Sequence, residues 1–106
     1  MTNAIKSIEV LGTDVKIVEL EKVLLGENIF GQYRPVSGEI AIYPGLCAHQ
    51  QGHTCMHEIV EALAWQLDST LPHDQLSALA SGLHAVLRAN PGLVKAICEG
   101  KKIIDG

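Results

Sequence analysis

The hydrophobic pattern of this chain changes period once, at Pro44-Gly45, and that switch does most to limit what it can fold into. Ahead of it, Ile5 to Val10 and Val15 to Leu20 alternate β-branched with polar residues, and Gly12-Thr13-Asp14 between them has turn chemistry, which predicts a hairpin. Ile29 to Tyr33 and Glu39 to Tyr43, separated by Arg34-Pro35-Val36-Ser37-Gly38, predict a second. The stretch Leu20 to Glu27, apolar at Leu20, Val23 and Leu24, fits either one helical turn or a loop ended by Gly26. Beyond the switch, Met56, Val60, Leu63 and Leu67 recur at helical spacing, so a helix should run from about Cys47 to about Leu67. Asp68-Ser69-Thr70 breaks it, and Pro72 suits the first turn of a second helix with the apolar stripe Leu76, Leu79, Ala80, Leu83, Val86 and Leu87. Asn90-Pro91-Gly92 ends that helix, Leu93 to Cys98 has the length of a short third, and Lys101 to Gly106 reads as a loose tail. Strands first and helices after imply an α+β fold: a small antiparallel sheet of two hairpins with two long helices packed on one face.

At 106 residues the chain can bury one core and has no room for a second, so residues 1–106 form a single domain. With only 4% aromatic residues that core is aliphatic, and Phe30, Tyr33, Tyr43 and Trp65 belong in it or at its rim. A net charge of -4 without a basic run argues against nucleic acid and anionic membrane as partners. Cys47, Cys55 and Cys98 are odd in number and lack C-x-x-C spacing, which disfavours both a disulfide framework and a Cys-rich zinc site. Cys55 then reads as a small buried hydrophobe. No signal-peptide apolar region and no membrane-length apolar run occur, so a cytoplasmic protein is expected.

The first helix carries His57-Glu58-Ile59-Val60-Glu61, an H-E-x-x-E run one residue away from the H-E-x-x-H signature of zinc peptidases. Residues four apart on a helix project side by side, so His57 and Glu61 can hold one cation, and a carboxylate is an accepted zinc ligand. Glu58 lies about 100° further round the helix, placed to take a proton from a water that the metal activates rather than to bind the metal. A catalytic zinc site needs a third protein ligand. His73, twelve residues after Glu61 at the start of the second helix, is the first choice. His53 is the second, because His49, His53, His57 and Glu61 are spaced by four throughout and form one stripe if the helix starts early. Gly52 speaks against an early start. His84 should lie two to three turns from His73, too far for the same ion, and reads as a half-buried helix residue. The same H-E-x-x-E run also describes a solvated polar patch on an amphipathic helix, with His49 and His53 simply in water.

Gly31-Gln32-Tyr33, Gly38-Glu39-Ile40-Ala41-Ile42, the run Thr54 to Leu63, Leu71-Pro72-His73 and Val86-Leu87-Arg88-Ala89-Asn90-Pro91 together resemble the small metallopeptidase-like proteins encoded by phages and prophages, which are similar to a minimal zincin domain. The resemblance spans roughly residues 29 to 95. It implies His57, Glu61 and His73 as metal ligands, Glu58 as the base, Zn2+ or another divalent ion as cofactor, and a peptide or protein as substrate. It also implies that Glu39 to Tyr43 is the edge strand against which an extended peptide pairs. The expected function is a zinc-dependent hydrolase. The competing expectations are a non-catalytic, metal-stabilised binding or regulatory module of phage or prophage origin, and a metal-free interaction domain.

Overall fold

A computed structural model of the protein describes residues 5–21 and 29–104; the Val23 and Leu24 part of the ambiguous segment lies outside them. Strands β1 (Ser7–Val10), β2 (Thr13–Glu19), β3 (Gly31–Arg34) and β4 (Glu39–Ile42) are followed by helices α1 (Ala48–Gln66), α2 (His73–Ala89) and α3 (Pro91–Glu99). The class is α+β.

Both hairpins form, but the sheet is mixed rather than purely antiparallel. Its order is β1-β2-β4-β3, with β2 and β4 parallel in the register Ile17↔Ile40. Alternation along a strand reports which face is buried and says nothing about which strand lies alongside, so the parallel join could not be read from the pattern. The order also corrects the expected role of Glu39 to Tyr43. Strand β4 is interior, and among the described residues the sheet edge on its side is β3. The first turn falls at Leu11-Gly12, one residue ahead of its expected place. Both residues have positive φ, 51° and 82°, as a two-residue hairpin matched to strand twist requires.

Helix α1 is the middle layer. On one side Ala62, with Ile59 and Leu63 beside it, packs into the sheet core of Val10, Val15 and Ile40. On the other, Val60 and Met56 pack against Leu76 and Ala80 of α2. Among the described residues α2 touches α1 and α3 but not the sheet, so only α1 lies on the sheet, contrary to the two-helix expectation. The α2 stripe is accordingly half covered: Leu76 and Ala80 are buried, while Leu79 and Val86 are each 48% exposed and Leu83 and Leu87 only slightly less. Leu67 and Trp65 also stay largely exposed, at 65% and 64%, and Phe30 is exposed at the sheet margin. An apolar stripe marks a helix face, and a single neighbouring helix cannot cover all of it.

Helix α1 starts early, at Ala48, with Gly52 inside it. It ends in a hydrogen-bonded reversal: Asp68 takes φ 52°, Asp68 N–H donates to Trp65 O at 3.2 Å and Ser69 N–H to Ala64 O at 2.8 Å. That pairing satisfies the last carbonyls of α1 and turns the chain sharply. The short connection then carries α2 back along α1, so that His73 meets the middle of α1 rather than its end.

Candidate metal centre

His57 and Glu61 come from adjacent turns of α1 and His73 from the first turn of α2. One ligand atom from each lies within 4.8 Å of the other two. His57 and Glu61 are half-buried and His73 is exposed, which leaves one side open to solvent. The rings of His57 and His73 have centres 5.4 Å apart. Imidazole nitrogens about 2.0 to 2.1 Å from a tetrahedral ion place their ring centres about 5.2 Å apart, so this pair already has the spacing of two ligands. Sequence spacing left the third ligand open between His73 and His53. The structure brings His73 to the pair, whereas His53 Nε2 is engaged with Ser81 Oγ at 2.9 Å.

One imidazole nitrogen of the site is left unsatisfied: His57 Nε2 is buried and has no hydrogen-bond partner among the described residues. A buried polar atom without a partner is costly, and a bound ion is one way to satisfy it. Burial pushes the His57 pKa down, opposed by the Glu61 charge and helped by His73 and His53. The ring therefore stays neutral near pH 7, the form that binds metals.

Glu58 is the one charged residue in the core among the described residues, 5% exposed. It faces β3, where Gly31 makes room: a Cβ at that position would collide with Thr54 Cγ2 and sit 3.2 Å from Glu58 Oε2. Burial raises the Glu58 pKa from 4.5 to about 8, helped by a hydrogen bond and charge from Glu61 and opposed by a hydrogen bond from the Tyr33 backbone. Glu58 Oε1 is left without a partner among the described residues. Cys55, one turn earlier, is half-buried, and burial followed by the Glu58 charge raises its thiol pKa, which disfavours the thiolate that a nucleophile needs.

Two measurements follow from this packing. Gly31→Ala should cost about 1 to 3 kcal/mol by overpacking, read as a lower urea midpoint. Adding Thr54→Ser, which removes the obstructing methyl, should restore much of the loss; an unchanged midpoint in the single variant would show that α1 does not press on β3. The second concerns pH. The folded protein holds the Glu58 proton between pH 4.5 and about 8, where the unfolded chain has released it. Stability of the metal-free protein should therefore fall as pH rises through that window and level off above it. His57 acts oppositely: its folded pKa is depressed, so its contribution is present above 6.5 and lost as pH falls. Glu58→Gln should flatten the slope between about pH 7 and 8, and parallel curves for the two proteins would contradict the buried proton.

No protein-family model, no curated protein and no solved structure matches this chain, which leaves the side chains themselves as the guide to its chemistry. Among the described residues no helix is long and apolar enough to cross a membrane. The sequence places His49 and His53 in solvent, with His53 as second choice for the third ligand, and makes His84 a half-buried helix residue; in the fold the first two are exposed and His84 is half-buried. In the fold the His84 ring lies against both of the others. The available signal was the fourfold-spaced histidine stripe interrupted by Gly52.

Proposed function

We propose that the protein is a zinc-dependent hydrolase of the metallopeptidase-like, minimal zincin kind, with His57, Glu61 and His73 as ligands and Glu58 as general base. The observation that supports this reading best is the convergence of three ligand atoms beside a carboxyl group with a pKa of about 8. A zinc ion held there would supply a Lewis acid that brings the pKa of water down to about 7.

Glu58 moves the proton. With a pKa close to the working pH, its carboxylate would accept a proton from the attacking water and return it to the leaving amine. A cation held by Glu61 would offset the charge that raises the Glu58 pKa and leave Glu58 able to act as base. His57 is kept neutral by burial and offers its unpartnered nitrogen. His73 closes the triad from the solvent side. The substrate is a peptide in extended form, laid along the outer side of β3, where an edge strand can exchange main-chain hydrogen bonds with a second chain.

The test is cleavage of a mixed peptide library by zinc-loaded protein, with new termini read by mass spectrometry. Cleavage should stop on chelation and return with zinc. Cleavage that persists with a chelator would overturn the reading, and stoichiometric zinc without cleavage would leave the metal-stabilised binding module in its place.

A further inference from the structure

We propose that His49, His53 and His84 form a second site, for a late first-row divalent cation such as Zn2+, which clips the first half of α1 to the second half of α2. His49 and His53 are four apart on α1, so their side chains stand one above the other. The His84 ring from α2 packs edge-on against both, with ring centres 5.1 Å from His49 and 5.4 Å from His53. Both distances match the roughly 5.2 Å between ring centres that a tetrahedral ion with imidazole nitrogens at about 2.0 to 2.1 Å requires. Among the described residues only His57, Glu61 and His73 already converge within 4.8 Å. Here convergence calls for rotation of the exposed His49 side chain, with His53 held in place by Ser81.

Three further observations point to a ligand at this place. Gly52 lies inside α1 facing His84, and a Cβ there would stand 3.2 Å from His84 Nε2. A glycine in mid-helix weakens the helix, and this one opens the surface for an approaching ring. His53 Nε2 is hydrogen-bonded to Ser81 Oγ at 2.9 Å. That is the arrangement in which a metal-binding imidazole is held by one ring nitrogen while the other, Nδ1, takes the ion. The three imidazoles line an open groove of about 450 Å³ that also includes Arg88 and has no carboxylate in its lining.

The donor set decides the ion. Three nitrogens and no oxygen anions suit Zn2+, Cu2+ or Ni2+ and do not suit Mg2+ or Ca2+. Eleven residues along α2 separate His84 from His73, roughly 16 Å of helix. Paired catalytic ions sit about 3.5 to 4 Å apart, so the second ion cannot share the chemistry of the first and acts as a structural clip.

Stripped full-length protein titrated with Zn2+ alone, with the bound ion counted by native mass spectrometry and elemental analysis, tests the assignment. The wild type should take two ions. His84→Phe, which keeps a ring of similar size in the helix interface, should take one, as should His49→Phe at an exposed position, and His73→Ala should also take one. The His73→Ala, His84→Phe double variant should take none. Circular dichroism of His84→Phe identical to wild type shows that the fold is kept. Two ions retained by both His84→Phe and His49→Phe would overturn the second site, as would loss of all zinc on His73→Ala alone. One ion in the wild type that survives His73→Ala and is lost in His84→Phe would support the clip while removing the catalytic ion. Chemical shift changes at His84 caused by inorganic phosphate and not by zinc would assign the groove to an anion and overturn the proposal.

Discussion

Glu58→Gln should keep its zinc and lose its turnover, with kcat falling by about two to four powers of ten, the usual contribution of a general base. The substitution keeps the volume of the side chain, and Glu58 is not one of the converging ligands, so the bound zinc should equal that of wild type. The reason to expect so large a kinetic effect is the position of the carboxyl group. It is buried beside the ligands and its pKa is raised to about 8, both features of a group that exchanges protons and neither of which helps the fold. A purely structural Glu58 predicts a different outcome: a shift in the urea midpoint with kcat close to wild type. Glu58→Gln with full activity would remove Glu58 from the chemistry and leave the metal site intact. Loss of zinc in the same variant would instead show that Glu58 binds the ion, and the roles assigned to Glu58 and Glu61 would need to be exchanged.

The part of this site that the sequence showed was the part fixed by local geometry. His57, Glu58 and Glu61 belong to one helix, and the 3.6-residue period fixes their relative directions wherever the helix sits. The convergence of His73 was also legible, because a short connection between antiparallel helices must return the chain close to where it left. What could not be read depends on contacts far apart in sequence. The parallel join of β2 to β4 follows from the placement of two hairpins, each of which has the same alternating pattern whichever neighbour it meets. The burial of Glu58 depends on Gly31, twenty-seven residues earlier, which has no side chain to announce what it admits. The meeting of His84 with His49 and His53 depends on how far α2 slides along α1. The Asp68 reversal sets that register, and Asp68-Ser69-Thr70 marks where α1 stops without telling how sharply the chain turns there. The exposed side of α2 has the same physical cause. Its apolar stripe has the width of a buried helix, but the sheet and α1 form only two layers beneath it.

His73→Ala should cancel the thermal stabilisation that zinc gives at the first site. His73 is exposed in the opening turn of α2, so truncating it should change the stability of the metal-free protein by no more than about 0.5 kcal/mol. Its effect should lie in the metal. Structural zinc sites are worth about 10 to 16 kcal/mol over four ligands, or about 3 kcal/mol per ligand, so affinity should drop by at least about two powers of ten. At a free zinc concentration a hundred times the wild-type Kd, the bound ion adds about 2.7 kcal/mol to the folded state, worth roughly 10 to 20 °C in Tm for a domain of this size. The comparison belongs in a His84→Phe background, so that only the His57, Glu61 and His73 site contributes. There the parent should gain that rise with zinc and the His73→Ala variant should gain almost none, while both melt at the same temperature with chelator present. An equal rise in the two proteins would mean that His73 is not a ligand. Unless the free Nδ1 of His53 took its place, the triad would then be reduced to two residues on one helix, too few for the open three-ligand site that hydrolysis needs.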